Sequence, residues 1–401
     1  MGTPRTASPW PAVTPATVSA GFVAVLVAFT STIALVFHAA RSLHASPDQI
    51  SSWVLALGFG MGLGSIAMSW WTRIPALVVW STPGAAVIAS AAQGVNMNEA
   101  VGAFMVCGVL MLLCGVTGWF ERIMDRTPIA LASALLAGIL ARFALMAFAE
   151  GSSHPLLVFG MLLIYLVGKR WWPRYAVLGV LLGGTALAAA QGLLQTQALQ
   201  LSWAQPVWVT PAWSWQAVLG MGLPLFIVTM SSQAVPGISA IKVAGYKPPV
   251  SAFTSVSGVL TTVLAPFGGY AFNLAAITAA IVLSPHAHPE PDKRYAAAIM
   301  AGVFYFLLAL MGGAVAGVLN AFPTALVMGV AGLALLGTIG NGLAVGLADA
   351  RFREPALITF LVTLSGVTLW GVNSAFWGLV AGVVALFVEN YRLQPDTRDA
   401  P

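Results

Sequence analysis

Two short stretches place hydroxyl side chains, proline and glycine together in the middle of apolar sequence. The first is LVVWSTPGAAVIASA, whose central residues are Ser81, Thr82, Pro83 and Gly84. Serine or threonine ahead of proline is typical of the first residues of a helix. The second, APFGGYAFNLAAITAAI, passes through Gly268 and Gly269 to Asn273, which is a good N-cap for a helix beyond it.

These two helix starts could together bind an anion. The first turn of a helix leaves backbone N–H groups unpaired and carries about half a positive charge. Two such ends facing each other would hold a carboxylate without a buried lysine or arginine, and neither stretch contains one. Glycine and proline are also simply common in membrane helices. The corresponding positions of the two stretches in the two halves of the chain favour the anion site.

Polar side chains recur in two other apolar segments. The first segment has Thr30, Ser31 and Thr32, and its counterpart in the second half has Thr229, Ser231, Ser232 and Gln233. The hydroxyl groups could line one cavity or bond the backbone of their own helices. An amide in hydrocarbon needs a partner, which favours a substrate or site-network role for Gln233.

Other titratable residues have simpler explanations. His38 is either a proton carrier or an interfacial histidine, and Arg142 can snorkel to the membrane surface. His286 and His288 lie in a proline-rich stretch that lacks a convincing ligand set, so we expect no metal and no cofactor. The sequence offers no intramembrane carboxylate pair or nucleophile–base set, which argues against an enzyme.

The composition of the chain indicates whether the segments that position these residues lie in water or in lipid. The chain is 59% hydrophobic and 7% charged, against roughly 25% charged in an average soluble domain. The stretches from Tyr175 to Ile241 and from Tyr295 to Ala348 carry no Lys, Arg, Asp or Glu. Their segments are apolar on all sides and do not alternate as β-barrel strands do. The sequence therefore predicts an all-α integral membrane protein in a lipid bilayer.

Charges, proline–glycine clusters and run length predict fourteen membrane segments. Their expected spans are 17–40, 50–72, 76–93, 98–119, 127–148, 154–169, 173–194, 212–234, 250–265, 267–285, 293–319, 322–342, 355–371 and 374–391. With both termini in the cytoplasm, all of the 17 Lys and Arg residues except Arg41 and Arg142 fall on the cytoplasmic side. This asymmetry suits a bacterial inner membrane and explains the net charge of +5 without a nucleic-acid partner.

The segments divide into two halves. We expect a disordered N-terminal tail at 1–16, a first repeat of seven segments at 17–194 and a second at 212–391, with a cytoplasmic tail at 392–401. The tryptophan-rich stretch 195–211 is predicted to be a loop on the outer membrane surface. With an odd number of segments in each half, the two halves would have opposite orientations in the membrane. They would then be inverted repeats, as in many secondary transporters.

Three stretches resemble a known family, the benzoate/proton symporters (BenE). They are QAVPGI from Gln233, GYKPP from Gly245 and APFGGYAFNLAAITAAIVLSPHAHPEPDKRYAAAIMAGVFY from Ala265. The resemblance covers nearly the whole chain. It implies a fold like the bacterial uracil permease, with a core of segments 1–4 and 8–11 and a gate of segments 5–7 and 12–14. Segments 3 and 10 would then contain short extended stretches that cross at the substrate site.

The resemblance also implies proton-coupled import of benzoate or a related aromatic carboxylate, and a homodimer. Gln233 and Asn273 stand where nucleobase relatives have acidic residues, and neutral amides would accept a carboxylate that another carboxylate would repel. Phe267, Phe272 and neighbours that include Leu274 would enclose the ring. The proton could travel on benzoate itself, on His38 or on an outer acid such as Glu99. A transporter of the same fold for another anion or a nucleobase, and an anion channel, remain alternatives.

Overall fold

The computed structural model describes residues 13–119, 129–172, 176–195, 203–275, 278–370, 372 and 374–390. Helices dominate this part of the chain. In the first half they are α1 Pro15–Ser42, α2 Pro47–Thr72, α3 Thr82–Ala91, α4 Met97–Thr117, α5 Ile129–Ala149, α6 Pro155–Trp171 and α7 Ala176–Ala190. Strand β1, Val78–Trp80, lies directly before α3.

The helices of the second half of the chain have more interruptions. Its first helix, α8, is a continuous run over Trp215–Lys242 that contains two π-helical turns, Val218–Gly222 and Met230–Ala234. Strand β2 is Phe272–Leu274. The remaining helices are α9 Val250–Leu264, α10 Ala279–Leu283, α11 Tyr295–Leu310, α12 Gly312–Asn320, α13 Thr324–Gly346, α14 Arg353–Ser365 and α15 Ser374–Asn390.

Local sequence explains where the long helices begin. Thr14, Ser46 and Asn96 are N-caps, and each forms a reciprocal capping box with the residue three positions later. Pro15 and Pro47 follow the first two caps, at positions where a missing N–H costs nothing. These caps satisfy backbone donors that would otherwise be unpaired near the membrane.

The prediction of a helical membrane protein is confirmed. Within the described residues, seven helices are long and apolar enough to cross a membrane. The pair Pro15–Phe29 and Thr32–Ser42, bent by 42°, makes an eighth if it is one span. Every segment expected from the sequence overlaps at least one helix, but several of these helices are too short to cross a bilayer alone. The number of crossings therefore stays a prediction.

Some elements differ from their predicted bounds. Helix α1 begins at Pro15, so the last two residues of the expected tail 1–16 are helical; residues 1–12 and 391–401 lie outside the described chain. Segment 293–319 is two helices that meet at Met311. Segment 267–285 is broken, as the sequence predicted, and contains strand β2 and the five residues of α10. Asn273 is therefore not an N-cap but the central residue of a strand.

Strands β1 and β2 form a two-stranded antiparallel sheet that joins the two halves of the chain. Val79 pairs with Asn273, and the bonds Ser81 N to Ala271 O (3.0 Å) and Ala275 N to Leu77 O (2.8 Å) extend the ladder at both ends. The predicted extended stretches are thus present and lie side by side. Such pairing between distant residues fixes the start of α3 against the segment that precedes α10.

The outward-facing backbone groups of this small sheet are bonded by helix side chains. Ser65 of α2 accepts a hydrogen bond from Val78 N at 2.9 Å, and Thr261 of α9 accepts one from Phe272 N at 3.0 Å. Ser69 similarly accepts from Ala76 N at 3.0 Å. An open sheet edge cannot face hydrocarbon. These buried hydroxyls are what makes a strand pair tolerable inside a helical membrane protein.

Close helix packing holds the surrounding elements together. A Cβ atom added to Gly258 of α9 would lie 2.4 Å from Leu112 N of α4, and one added to Gly62 of α2 would lie 2.8 Å from Gly302 O of α11. Small residues allow backbones to approach in this way where lipid offers no hydrophobic driving force. Of these four helices, α2 packs against β1 and α9 packs against β2.

The described part of the tryptophan-rich loop, residues 203–214, crosses the ends of several helices. Ala204 N donates to Leu310 O, Val209 N to Pro266 O and Ala212 N to Asn98 O. The side chains of Trp203, Trp208, Trp213 and Trp215 are exposed. Tryptophan prefers the membrane interface, so the predicted interfacial position fits this exposure.

Candidate functional site

A cavity of about 120 Å³ lies beside the strand pair. This volume is several times the roughly 30 Å³ that one water molecule occupies in the liquid. Most of its wall is apolar and comes from Val27, Ala28, Met61, Val79, Trp80 and Ala275. Five polar side chains complete it: Thr32, Thr82, Gln233, Thr278 and Tyr305. A mainly apolar cavity with a few convergent polar groups is typical of a small-molecule site.

Most of these polar groups have no partner among the described residues. No hydrogen bond joins the side chains of Thr82, Gln233 or Thr278 to another described residue, and the buried hydroxyl of Tyr305 is likewise unpaired there. Thr32 differs, because its Oγ1 donates to Ala28 O at 2.8 Å and accepts from Trp80 Nε1 at 2.9 Å. Thr278 and Tyr305 are buried, where polar groups normally have partners, and Thr82 and Gln233 are half-buried, so all four groups are available to bond a ligand in the cavity.

The position of Gln233 depends on a π-turn. Gln233 lies in the second π-helical turn of α8, Met230–Ala234, which ends two residues before Pro236. The first π-turn of α8 likewise ends two residues before Pro224. A proline ring clashes with the carbonyl four residues earlier, and widening the turn relieves the clash. Such turns are frequent at functional sites because they redirect side chains.

The start of α3 is as the sequence predicted, but most of its donors are already bonded. Ser81 is the N-cap, and its Oγ accepts a hydrogen bond from Gly84 N at 3.0 Å. The same oxygen accepts from the buried Thr229 hydroxyl at 2.9 Å. Pro83 has no N–H. At most the N–H of Thr82 remains in the first turn, so the expected capacity to bind an anion through this helix end is small.

We expect Ser81→Ala to destabilise the protein, although Ser81 itself does not line the cavity. The variant removes the N-cap and leaves the Thr229 hydroxyl buried without its acceptor, which together cost about 1–3 kcal/mol. Ser90→Ala in the same helix is the control, since Ser90 only bonds Val87 O. Thermal unfolding in detergent should show a lower Tm for the first variant alone. Equal Tm values would contradict the capping role.

Of the side chains predicted from the sequence, Thr32, Thr82 and Gln233 come together on the cavity. Ser31 belongs to α1, but its side chain lies outside the described residues. Ser81 and Pro83 are buried next to the cavity at the start of α3. Gly84 allows close packing, because a Cβ atom there would lie 2.6 Å from Leu225 Cδ1 of α8.

The residues predicted around the second glycine stretch do not line the cavity. Phe267 packs edge-on against Trp208 of the outer loop, with ring centroids 5.4 Å apart. Gly268 turns the chain with φ of 93°, and an added Cβ would strike the Trp53 ring at 1.8 Å. Gly269 lies against Leu264. This segment returns the chain into the protein interior and positions β2.

The three residues of β2 pack into the protein on the two sides of the strand. The Phe272 ring is next to Gly60, and Leu274 is next to Gly237. Asn273 is buried, and its Nδ2 donates to Ala271 O at 3.0 Å. Its Oδ1 has no partner in the described chain. Asn273 therefore shapes the local backbone and does not itself border the cavity.

Sequence reasoning missed Trp80, Thr278 and Tyr305. Trp80 directly precedes the predicted Ser81 stretch, so its position was a usable signal. Tyr305 lies in the middle of α11, and nothing in its neighbouring residues distinguishes it from an ordinary core tyrosine. Its side chain is fully buried. Only the packing of α11 against α1 and α2 brings it to the cavity.

Comparison with known proteins agrees with this architecture. Residues 12–388 match the family described as benzoate membrane transport protein, BenE. The chain belongs to the BenE family. It is 46% identical over 376 residues to the inner membrane protein YdcO of Escherichia coli, covering 94% of this chain and 96% of that protein. It is 36% identical over 369 residues to the benzoate membrane transport protein of Acinetobacter baylyi, covering 92% and 94%.

Solved structures show the same fold at low sequence identity. The SLC26A9 structure superposes with a TM-score of 0.65 at 10% identity, covering 94% of this BenE chain and 66% of the longer one. The transmembrane domain of the cyanobacterial bicarbonate transporter BicA gives 0.59 at 12% identity, covering 94% and 96%. The BenE family and its relatives are membrane transport proteins, which agrees with the expectation of a transporter and not an enzyme.

Proposed function

We propose that the protein imports benzoate or a related aromatic carboxylate, coupled to protons, across a bacterial inner membrane. The family supports a benzoate-type substrate, and the A. baylyi relative is named as a benzoate membrane transport protein. The observation that carries the proposal is the cavity beside the strand pair. It combines an aromatic and aliphatic wall with unpaired amide and hydroxyl groups. That combination suits a small ring bearing one polar substituent.

The ring and the carboxyl group of the ligand would use different parts of the cavity. The ring would lie against Trp80 and Met61, which form part of the apolar wall. The carboxyl group would meet Gln233, Thr82 and Thr278, whose side chains have no other partner in the described chain. Phe267 and Phe272 would contribute indirectly, by fixing the position of β2.

Transport would proceed by alternating access between two bodies. Segments 1–4 and 8–11 would form the core that carries the cavity, and segments 5–7 and 12–14 the gate. Close contacts within the second set support its moving as a unit. A Cβ atom on Gly342 of α13 would lie 2.9 Å from Ser133 O of α5, and one on Gly138 of α5 would lie 2.8 Å from Phe360 O of α14.

The experiment is uptake of labelled benzoate by the purified protein in liposomes. An acidic exterior should drive accumulation above that of protein-free liposomes, which report diffusion of benzoic acid through lipid. Dissipating the pH gradient should remove the excess. Flux through the protein that is insensitive to the gradient would instead indicate a channel. Competition by excess uracil or sulfate, without competition by unlabelled benzoate, would contradict the proposed substrate.

A further inference from the structure

The described residues that line the cavity supply several neutral hydrogen-bonding groups and no charged one. The side chains that line it end in hydroxyl, amide, indole or hydrocarbon groups. Four of the polar ones, on Thr82, Gln233, Thr278 and Tyr305, lack partners in the described chain. Hydroxyl and amide groups can donate and accept. They therefore match a ligand that also both donates and accepts.

Apart from Tyr305, the charged and titratable side chains of the surrounding elements lie outside the cavity lining. On α3 and α10 there are none. The others are His38 and Arg41 on α1, Asp48 on α2, Arg73 after α2, Arg142 on α5, Lys242 on α8, Tyr270 before β2, His286 after α10 and Tyr295 on α11. Helix α5 packs against α3 and against the π-turn that carries Gln233. On α1, His38 is six residues, or about 9 Å of helical rise, from the lining residue Thr32. None of these groups lines the cavity.

The start of α3 does not replace a charged group. Its partial positive charge would favour an anion, but Ser81 already bonds Gly84 N and Pro83 has no N–H. An ionised carboxylate is very costly to bury without a countercharge or several donors. A protonated carboxyl group avoids that cost, because it offers one donor and one acceptor to neutral partners.

Tyr305 is the group best placed to recognise such a ligand. Its side chain is fully buried, borders the cavity and has an unpaired hydroxyl. Tyr270 provides a close comparison: it too is fully buried with an unpaired hydroxyl, but it packs against Trp53 and Phe104 and does not border the cavity.

Resting on the proposed function, we propose that the cavity binds the protonated, neutral form of the aromatic acid, with the Tyr305 hydroxyl bonded to its carboxyl group. The proton then crosses the membrane on the substrate. No bond is made or broken in the cavity: the acid gains its proton from water on the outer side and loses it to water on the inner side. Coupling needs no proton-carrying carboxylate in the protein.

Binding to the purified protein between about pH 5.5 and pH 7.5, above the pKa of an ordinary carboxyl group, tests this. The Kd of total benzoate should rise about tenfold per pH unit, following the fraction of neutral acid. Benzamide, which is neutral throughout, should compete with a pH-independent Kd. Benzenesulfonate, which is anionic throughout, should not compete.

Two variants test the hydroxyl itself. Tyr305→Phe should weaken binding of benzoate and benzamide alike by about tenfold, and Tyr270→Phe should leave both unchanged. A benzoate Kd that does not change with pH, failure of benzamide to compete, competition by benzenesulfonate, or an unaltered Tyr305→Phe variant would overturn this proposal alone. Absence of benzoate binding at every pH would overturn the proposed function with it.

Discussion

Replacing Gln233 with leucine should remove most benzoate binding and leave the protein folded. Leucine has a similar volume and suits the apolar wall, but it cannot bond the ligand's carboxyl group. A polar group left without its partner in a buried site costs about 1–3 kcal/mol, which is roughly a five- to 150-fold rise in Kd. Equilibrium binding of labelled benzoate to purified protein measures the change.

The matched control for this variant lies on the same helix. Gln216, in the first turn of α8, is exposed and bonded to the Ser214 hydroxyl. Gln216→Leu makes the same chemical change outside the cavity and should bind benzoate as the wild type does. If Gln233→Leu kept wild-type affinity at unchanged Tm, Gln233 would not be part of the site.

Replacing Gly237 with a larger residue should lower the stability of the protein and weaken binding of benzoate in the cavity. A Cβ atom there would lie 2.5 Å from Leu274 O and 2.8 Å from Leu274 Cβ, so Gly237 sets the spacing between α8 and strand β2. Gly237→Val must displace β2, which pairs with the cavity-lining strand β1 and directly precedes the lining residue Ala275. Overpacking of this kind costs about 1–3 kcal/mol, and we expect a lower Tm together with at least about tenfold weaker benzoate binding.

A glycine without neighbours separates this effect from helix propensity. Nothing lies within 4 Å of a Cβ atom built on Gly340 in α13. Gly340→Val places the same β-branched residue in a helix. It should change neither the Tm nor the Kd for benzoate by a comparable amount. Equal losses in the two variants would show that the contact between Gly237 and Leu274 does not control the site.

The sequence predicted those features that depend on local chemistry. Ser81 followed by Thr82 and Pro83 specifies a helix start wherever it occurs, and α3 begins there. Gln233 stood out because an amide in an apolar segment needs a partner, and it does border the cavity. The membrane helices followed from composition, since no other structure satisfies the backbone in lipid.

Features that depend on distant residues could not be predicted in this way. Asn273 has the properties of an N-cap, but pairing with Val79 places it in a strand. Thr261, from helix α9, bonds the outer edge of that strand. Tyr305 reaches the cavity through helix packing alone. Gly268 was predicted to lie at a break in its segment, but its left-handed turn against the Trp53 ring depends on packing that the local residues do not reveal.

The most direct test of the central claim is to locate the bound substrate. A structure of the protein saturated with 4-bromobenzoate, with the bromine placed by its anomalous signal, would do so. We expect the bromine between Trp80 and Met61, with the carboxyl group toward Gln233 and Tyr305. A bromine only in the separate cavity lined by Ser284 and His286, or none beside the strand pair, would contradict the account.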